Sequence, residues 1–224
     1  MLLAIDTATH LAGLALYDQH AGWVLGEETW HSVNNHTVEL MPRLVRLMDQ
    51  QKLAPADLSG LVVSLGPGSF AGLRIGLAMA KGLSLACDLP LVGIPTLEVV
   101  ARPHMNQPCP IWAILQAGRG RICAGQYFRR KGRWRRQGDN HLTTVEALCD
   151  EIEGTVLVCG EIKSQDAEVL SKRLGARATI ASPAASLRRP AYLAELGWER
   201  LGRGDIDDPR SLAPIYLQNP QIDA

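Results

Sequence analysis

Apolar runs of four to eight residues, broken by polar turns, set the pattern of the first hundred positions. Leu2 to Ile5 is continuously apolar and stops at Asp6-Thr-Ala-Thr9. Leu11, Leu14 and Leu16, and then Trp23-Val-Leu-Gly26, mark two further strands, so the start of the chain reads as an antiparallel meander. The spacing then turns helical. A helix is predicted from about Asn35 or His36 to Gln51, with Asn34 and Asn35 as caps and Glu39 in its first turns. Pro55-Ala-Asp57 opens a short turn, and Leu58 to Leu65 is a buried strand that ends in the cluster Gly66-Pro-Gly-Ser-Phe-Ala-Gly72. A second helix follows over about 70–86. Leu91 to Ile94 is another strand, and Pro95-Thr96 starts a helix that reaches about Arg102.

The composition changes at Pro103, Pro108 and Pro110, which mark a linker. Beyond it, Ile111–Leu115, Ile122–Phe128 and Val156–Cys159 read as strands, and helices are predicted over 143–153, 164–174 and 190–203. Strands and helices recur in the same loose order in both halves. The expectation is therefore an α/β protein of two lobes, residues 1–102 and 111–204, with a tail over 205–224 whose lobe is left open. At 224 residues each lobe is long enough for a core of its own.

The arc of apolar residues on helix 36–51 (Val38, Leu40, Met41, Leu44, Val45, Leu47, Met48) covers about 180°, wider than the roughly 100° that one core contact needs. It is either sandwiched between a sheet and another helix or exposed for a second subunit. Helix 70–86 carries only Arg74 and Lys81 as charges, and Gly72, Gly76 and Ala80 form a ridge of small residues that a second helix can approach closely. The glycine cluster itself has two readings: a tight strand-to-helix joint, or a turn whose free amides face an anion, with Ser69 capping the helix. Asp6, Thr7 and Thr9 at the first strand's end, with Gly66, Gly68 and Ser69, make up the candidate phosphate site. No Lys-Ser/Thr pair follows the glycines, so this is not a Walker loop.

Charge adds a second candidate. Residues 1–100 hold five Lys/Arg against nine Asp/Glu, and the remainder eighteen against fourteen. The excess includes Arg129-Arg-Lys-Gly-Arg-Trp-Arg-Arg136, read as a β-hairpin turning at Lys131-Gly132. Its Arg133, Arg135 and Arg136 are either a solvated face or a contact for RNA phosphates. The six histidines include no His-x-x-x-His pair, and the five cysteines no Cys-x-x-Cys, so neither a catalytic metal nor a disulfide framework is expected. The N-terminus lacks the basic region of a secretory signal, and the apolar stretch Leu73–Leu85 is interrupted by charge and short for a span. A cytoplasmic protein without a membrane segment is expected.

Leu3-Ala-Ile-Asp-Thr-Ala-Thr9, His36 ahead of its helix, and Gly66-Pro-Gly-Ser-Phe-Ala-Gly-Leu-Arg-Ile-Gly76 together resemble the TsaB (YeaZ) family, as does the Pro214-Ile-Tyr-Leu217 tail. The resemblance implies the actin/sugar-kinase/Hsp70-like architecture and a noncatalytic subunit with no cofactor of its own. Its implied partner is TsaD, the catalytic paralogue, which with the ATPase TsaE transfers a threonylcarbamoyl group to the adenosine 3′ of certain tRNA anticodons. A homodimer in isolation is expected as well, because an apolar patch that meets a paralogous patch about a pseudo-twofold axis can meet its own copy about a true one, and contact with tRNA is expected to be indirect or weak. The partner interface is expected on both helices, at His36, Leu40, Leu44, Leu47, Gly72, Arg74, Gly76 and Ala80. Two positions depart from the family pattern: Ala71 stands for a threonine, and Gln116-Ala-Gly-Arg119 for Asp-Ala-Arg. The first departure removes a hydroxyl, and the second a carboxylate, from any nucleotide site. An active ATPase or kinase using Asp6, and a glycoprotease-like metallopeptidase, are the competing readings.

Overall fold

The computed structural model describes residues 1–33, 35–130 and 133–217, the side chains of Arg130 and Arg133 excepted. The chain forms two units, Met1–Val99 with Arg189–Ile215, and Val100–Arg188 joined by the chain from Tyr216.

In the first unit the meander β1 (Leu2–Asp6), β2 (Leu11–Asp18) and β3 (Trp23–His31) is followed by helix α1 (His36–Gln50), β4 (Gly60–Gly66), α2 (Phe70–Cys87), β5 (Leu91–Pro95) and α3 (Thr96–Ala101). The sheet order is β3-β2-β1-β4-β5, with β1, β4 and β5 parallel and β2 and β3 antiparallel. Alternation along each strand assigns its two faces. Leu3, Ile5, Leu61 and Val63 face α1 and α2, while Ala4, Val62 and Val92 face helix α6 (Pro190–Leu201) through Leu193, Ala194 and Leu196. With both faces covered, β1 and β4 are buried at every position, and Leu2–Ile5 and Leu61–Val63 are apolar throughout, which is why they read as apolar runs.

The second unit repeats the plan with β6 (Ile111–Gln116), β7 (Ile122–Arg130), β8 (Arg133–Thr143), α4 (Val145–Glu151), β9 (Val156–Gly160), α5 (Ser164–Leu174) and β10 (Ala178–Ile180). Its order, β8-β7-β6-β9-β10, matches the first sheet strand for strand. Trp112, Ile114, Ile122 and Val158 pack under α4 and α5. Even the glycines that end the fourth strands agree, Gly66 with φ +110° and Gly160 with φ +112°. The expectation of two α/β lobes of one plan describes this architecture.

One expected boundary differs: the helix expected over 190–203 in the second lobe is α6 of the first unit, because its apolar face is complementary to Ala4, Ala15 and Val62. Residues 205–215, left unassigned, belong there too. Helix α2 is long and apolar enough in composition to cross a membrane, with a mean hydropathy of 1.3. Here its Gly72, Leu73, Gly76, Leu77, Ala80 and Ser84 face lies buried within the first unit.

Candidate functional site

The end of β1 and the turn after β4 are packed against each other without a gap. Asp6 is 1% exposed, and its Oδ1 accepts hydrogen bonds from the Ala8 amide at 2.9 Å and the Ser64 hydroxyl at 2.8 Å. Thr7 donates its hydroxyl to the Gly72 carbonyl at 2.7 Å, and the Thr9 hydroxyl accepts from the Leu11 amide at 3.2 Å. The Ser69 amide donates to the Ala8 carbonyl at 2.6 Å, while its hydroxyl caps α2 by accepting from the Gly72 amide. A methyl group on Gly68 would collide with the Ala8 carbonyl, and one on Gly72 or Gly76 with Thr7. The turn contains a cis Gly66–Pro67 bond.

The six candidate phosphate-site residues therefore do come together, but as a close-packed joint. A carbonyl oxygen, not a set of free amides, faces Gly68, and an acceptor there repels an anion. The second unit is no more receptive. Gln116, at the end of β6, donates from its amide nitrogen to the Glu161 carbonyl and to Asp166 Oδ2, both at 2.8 Å. Glu161 in turn accepts from the buried Arg188 at 3.2 Å. Two carboxylates stand at that strand end. The close packing of Gly68 and Ser69 on Ala8 does not fit a phosphate seated between β1 and the glycine turn.

Helix α1 is fixed by polar contacts as well as by its core face. Trp30 Nε1 donates to Glu39 at 2.9 Å, and the Arg43 guanidinium lies 4.5 Å above the Trp30 ring while pairing with Glu28, which Arg46 also reaches at 2.7 Å. Its first residue, His36, is buried beside Gly72, where α1 and α2 approach. Burial disfavours the imidazolium and holds the His36 pKa below the usual 6.5. The unfolded chain then takes up a proton that the folded chain refuses, so stability is lost as pH falls through the ordinary histidine value. His104, lowered by burial in the same way, adds to that slope. We expect urea midpoints to fall between about pH 7.5 and about pH 5.5, and His36→Gln to flatten part of the dependence.

The interface residues expected from the sequence are sorted by the fold. Leu40, Leu44 and Leu47 are 2%, 2% and 4% exposed, in the core with Leu3 and Leu14, and Gly72, Gly76 and Ala80 are also buried. These positions, with His36, are covered by the chain itself because α1 and α2 turn them toward the sheet. Only Arg74 of that set is exposed, stacked 3.7 Å over Phe70. The outward face is different: Val38 at 68%, Met41 and Val45 at 48% each, and on α2 Phe70 at 39% and Leu85 at 67%. Exposed Ala71, Ala78 and Gly82 lie on that face of α2 as well. Met41, Pro42, Val45, Arg46, Asp49 and Gln50 line an open groove of about 590 Å³. Sequence reasoning counted Val38, Met41 and Val45 in the apolar arc without separating them from the leucines. A signal existed, since these three fall one to two residues out of step with Leu40, Leu44 and Leu47.

The basic run divides too. β7 and β8 pair antiparallel up to Arg130 opposite Arg133, while Lys131, Gly132 and the Arg133 side chain lie outside the described residues. Arg135 and Arg136 are exposed but, as strand neighbours, point to opposite faces, and Arg136 pairs with Asp139 at 3.1 Å. Trp134 stacks on the buried Tyr127 and is half-buried. Among the described residues no group of three His, Cys, Asp or Glu side chains is placed to hold a metal.

The family model described as TsaD, tRNA N6-adenosine threonylcarbamoyltransferase, matches residues 25–163. The tRNA threonylcarbamoyladenosine biosynthesis protein TsaB of Bacillus subtilis is 31% identical over 226 residues, covering 100% of this chain and 96% of that protein. Escherichia coli TsaB is 32% identical over 133 residues, 57% of this chain and 55% of that one. Among solved structures, a Pseudomonas aeruginosa protein described as similar to peptidase YeaZ superposes with a TM-score of 0.80 at 23% identity, covering 97% of this chain and 99% of the other. The ethanolamine utilization protein EutJ of Carboxydothermus hydrogenoformans reaches 0.50 at 13% identity, over 86% of this chain and 89% of its own. Sequence similarity along the full length, on a duplicated fold shared with YeaZ, makes this chain a member of the TsaB (YeaZ) family of tRNA threonylcarbamoyladenosine biosynthesis proteins.

Proposed function

We propose that this chain is the noncatalytic subunit of a tRNA threonylcarbamoyltransferase complex in the cytoplasm, binding and activating a TsaD homologue, with a TsaE homologue joining the larger assembly. The observation that carries the reading is the outward face of α1 and α2. Val38, Met41 and Val45 on one helix, with Phe70 and Leu85 on the other, leave a larger apolar surface than scattered exposed residues do. Small residues at Ala71, Ala78 and Gly82 permit close helix approach. A TsaD family model matches more than half of this chain, so a TsaD homologue is expected to carry a related helix pair, and two such pairs would meet as a four-helix contact about a pseudo-twofold axis. In the partner's absence the same face would meet its own copy, giving a homodimer.

The closed packing of the glycine turn supports the absence of turnover by this chain. Purified alone with ATP and magnesium it should release no phosphate above background. Robust hydrolysis that is lost in Asp6→Ala would establish the ATPase reading, and zinc-dependent cleavage of a peptide the metallopeptidase one. The direct test is copurification with the host's TsaD homologue, followed by tRNA modification with and without this chain.

Any contact with tRNA would come from Arg133, Arg135 and Arg136. Because Arg135 and Arg136 point to opposite faces, we expect neutralising all three to weaken tRNA binding by the assembled complex no more than about tenfold, with a shallower salt dependence. Unchanged affinity and salt slope would reduce the run to a solvated hairpin.

A further inference from the structure

The segment after α6 is tied to the first sheet at two places eight residues apart. At the first, Asp207 forms an isolated antiparallel bridge with Leu91 on the edge strand β5: its amide donates to the Leu91 carbonyl at 2.9 Å, and its Oδ2 accepts from the Gly93 amide at 2.8 Å. Arg200, from the last turn of α6, completes this anchor. It donates to the Gly93 carbonyl at 2.8 Å and to Asp207 at 3.0 and 3.2 Å, and holds Asp205 at 2.7 and 2.8 Å. The edge groups of β5 at Leu91 and Gly93 thus bond to the chain's own tail, and are closed to another strand.

The second anchor lies at the glycine turn. The β4–β5 register shifts between Ser64 and Gly66, leaving Leu65 as the extra residue of a bulge. The Leu65 carbonyl accepts from the Ile215 amide at 2.7 Å. Gly66, at φ +110°, has the Ile215 carbonyl 2.6 Å from the place a Cβ would take, and donates its own amide to the Thr96 hydroxyl at 3.0 Å. Between the anchors Asp208 accepts from the Arg210 amide and the Ser211 hydroxyl in a compact turn, and Leu212 packs on the first core.

We propose that residues 205–215 are a strap whose distal anchor, Ile215 on Leu65, sets the conformation of the Gly66–Ser69 turn and thereby positions the start of α2 for its partner. On its entry side the turn is held by Ile215 on Leu65 and by the Thr96 hydroxyl on the Gly66 amide, since the bulge residue has left the β5 ladder and β1 pairs with β4 only as far as Val63. Three residues separate Gly66 from the first turn of α2, so freedom at Leu65 passes directly to Phe70, Ala71 and Arg74 on the outward face. The effect on partner binding rests on the proposed partner-subunit role; the effect on the turn does not.

Ile215→Pro removes the amide donor and leaves the Asp207 anchor in place, and a chain ending at Leu212 removes the distal anchor altogether. Both are compared with the full-length chain by hydrogen–deuterium exchange, after circular dichroism confirms the fold. We expect the amides from Gly66 to Leu73 to exchange about tenfold faster in both variants, as a buried carbonyl loses its donor, while those of β1 and of α6 stay unchanged. Affinity for the TsaD homologue should fall by a similar factor. Unchanged exchange at Gly66–Leu73 in both variants, or a uniform rise across the first unit, would overturn the strap. If the full-length chain itself fails to bind the TsaD homologue, the partner reading fails while the exchange result still judges the strap.

Discussion

Leu44→Glu should unfold the first lobe. Leu44 is 2% exposed and sits in an apolar cluster with Leu40, Leu47, Leu3 and Leu14. Losing the leucine's packing costs about 2–5 kcal/mol, and an unpaired buried charge adds several more unless the carboxyl takes up a proton. A domain holding about 5–15 kcal/mol in total has little left after such a change. Gly76→Leu belongs with it, because the first added carbon already meets the Thr7 hydroxyl that is bonded to Gly72. Thermal melts followed by circular dichroism should show a loss of Tm beyond about 10 °C, or no cooperative transition. A Leu44→Glu protein that melts like the parent, yet no longer binds its partner, would return Leu44 to the interface.

The fold was legible because its strands and helices have different apolar periods. β1 and β4, covered on both faces, are mostly apolar runs, and the polar turn that begins at Asp6 and the glycines after Leu65 bound them clearly. β10 could not be read, since Ala178–Ile180 is three residues long and only partly buried. β3 was cut short at Gly26 for a related reason. Glu27, Glu28 and Thr29 look like a loop, but the two carboxylates are held by Arg189 and by Arg43 with Arg46, partners distant in sequence. The placement of α6 was lost to the same kind of fact: nothing near residue 190 says that its apolar face complements Val62, more than a hundred positions away.

For the candidate site, both helices are legible in the sequence, but which of their apolar residues are buried is not. Period 3.6 identifies an apolar arc but not which half of a wide arc meets the sheet. That depends on the rotation of α1 about its axis, which Trp30, Glu28, Glu39, Arg43 and Arg46 fix through contacts between β3 and α1. The glycine cluster was legible as a tight turn and equally as an anion cradle. What decides between them is the Ala8 carbonyl, brought against Gly68 from sixty residues away. The strap had no signal beyond Pro214-Ile-Tyr-Leu217, and its hydrogen bond to Leu65 comes from the Ile215 backbone amide, which any residue but proline supplies.

The rotation of α1 leads to the sharpest test of the partner-subunit reading. Met41 and Val45 are one helical turn apart on the outward face, each 48% exposed, and both line the α1 groove. Met41→Glu together with Val45→Lys puts opposite charges at i and i+4 with the acid N-terminal, an orientation that favours the helix, and leaves net charge unchanged. Glutamate and lysine are also at least as good helix formers as the valine replaced. Neither position is in the core, so Tm should stay within the range of ordinary surface changes, about 0.5 kcal/mol in stability. At a buried helix–helix contact, however, two charged groups must lose their water with only each other to replace it, and two apolar anchors disappear. Each loss of about 1.4 kcal/mol is tenfold in affinity, so binding to the TsaD homologue and self-association should both weaken by about 100-fold or more. Light scattering should then report a folded monomer at concentrations where the parent is a dimer, and threonylcarbamoylation of tRNA by the reconstituted complex should fall in parallel. A double variant that dimerises, binds and supports modification like the parent would take the outward face of α1 out of the interface, and leave the exposed apolar surface of the first lobe without its proposed role.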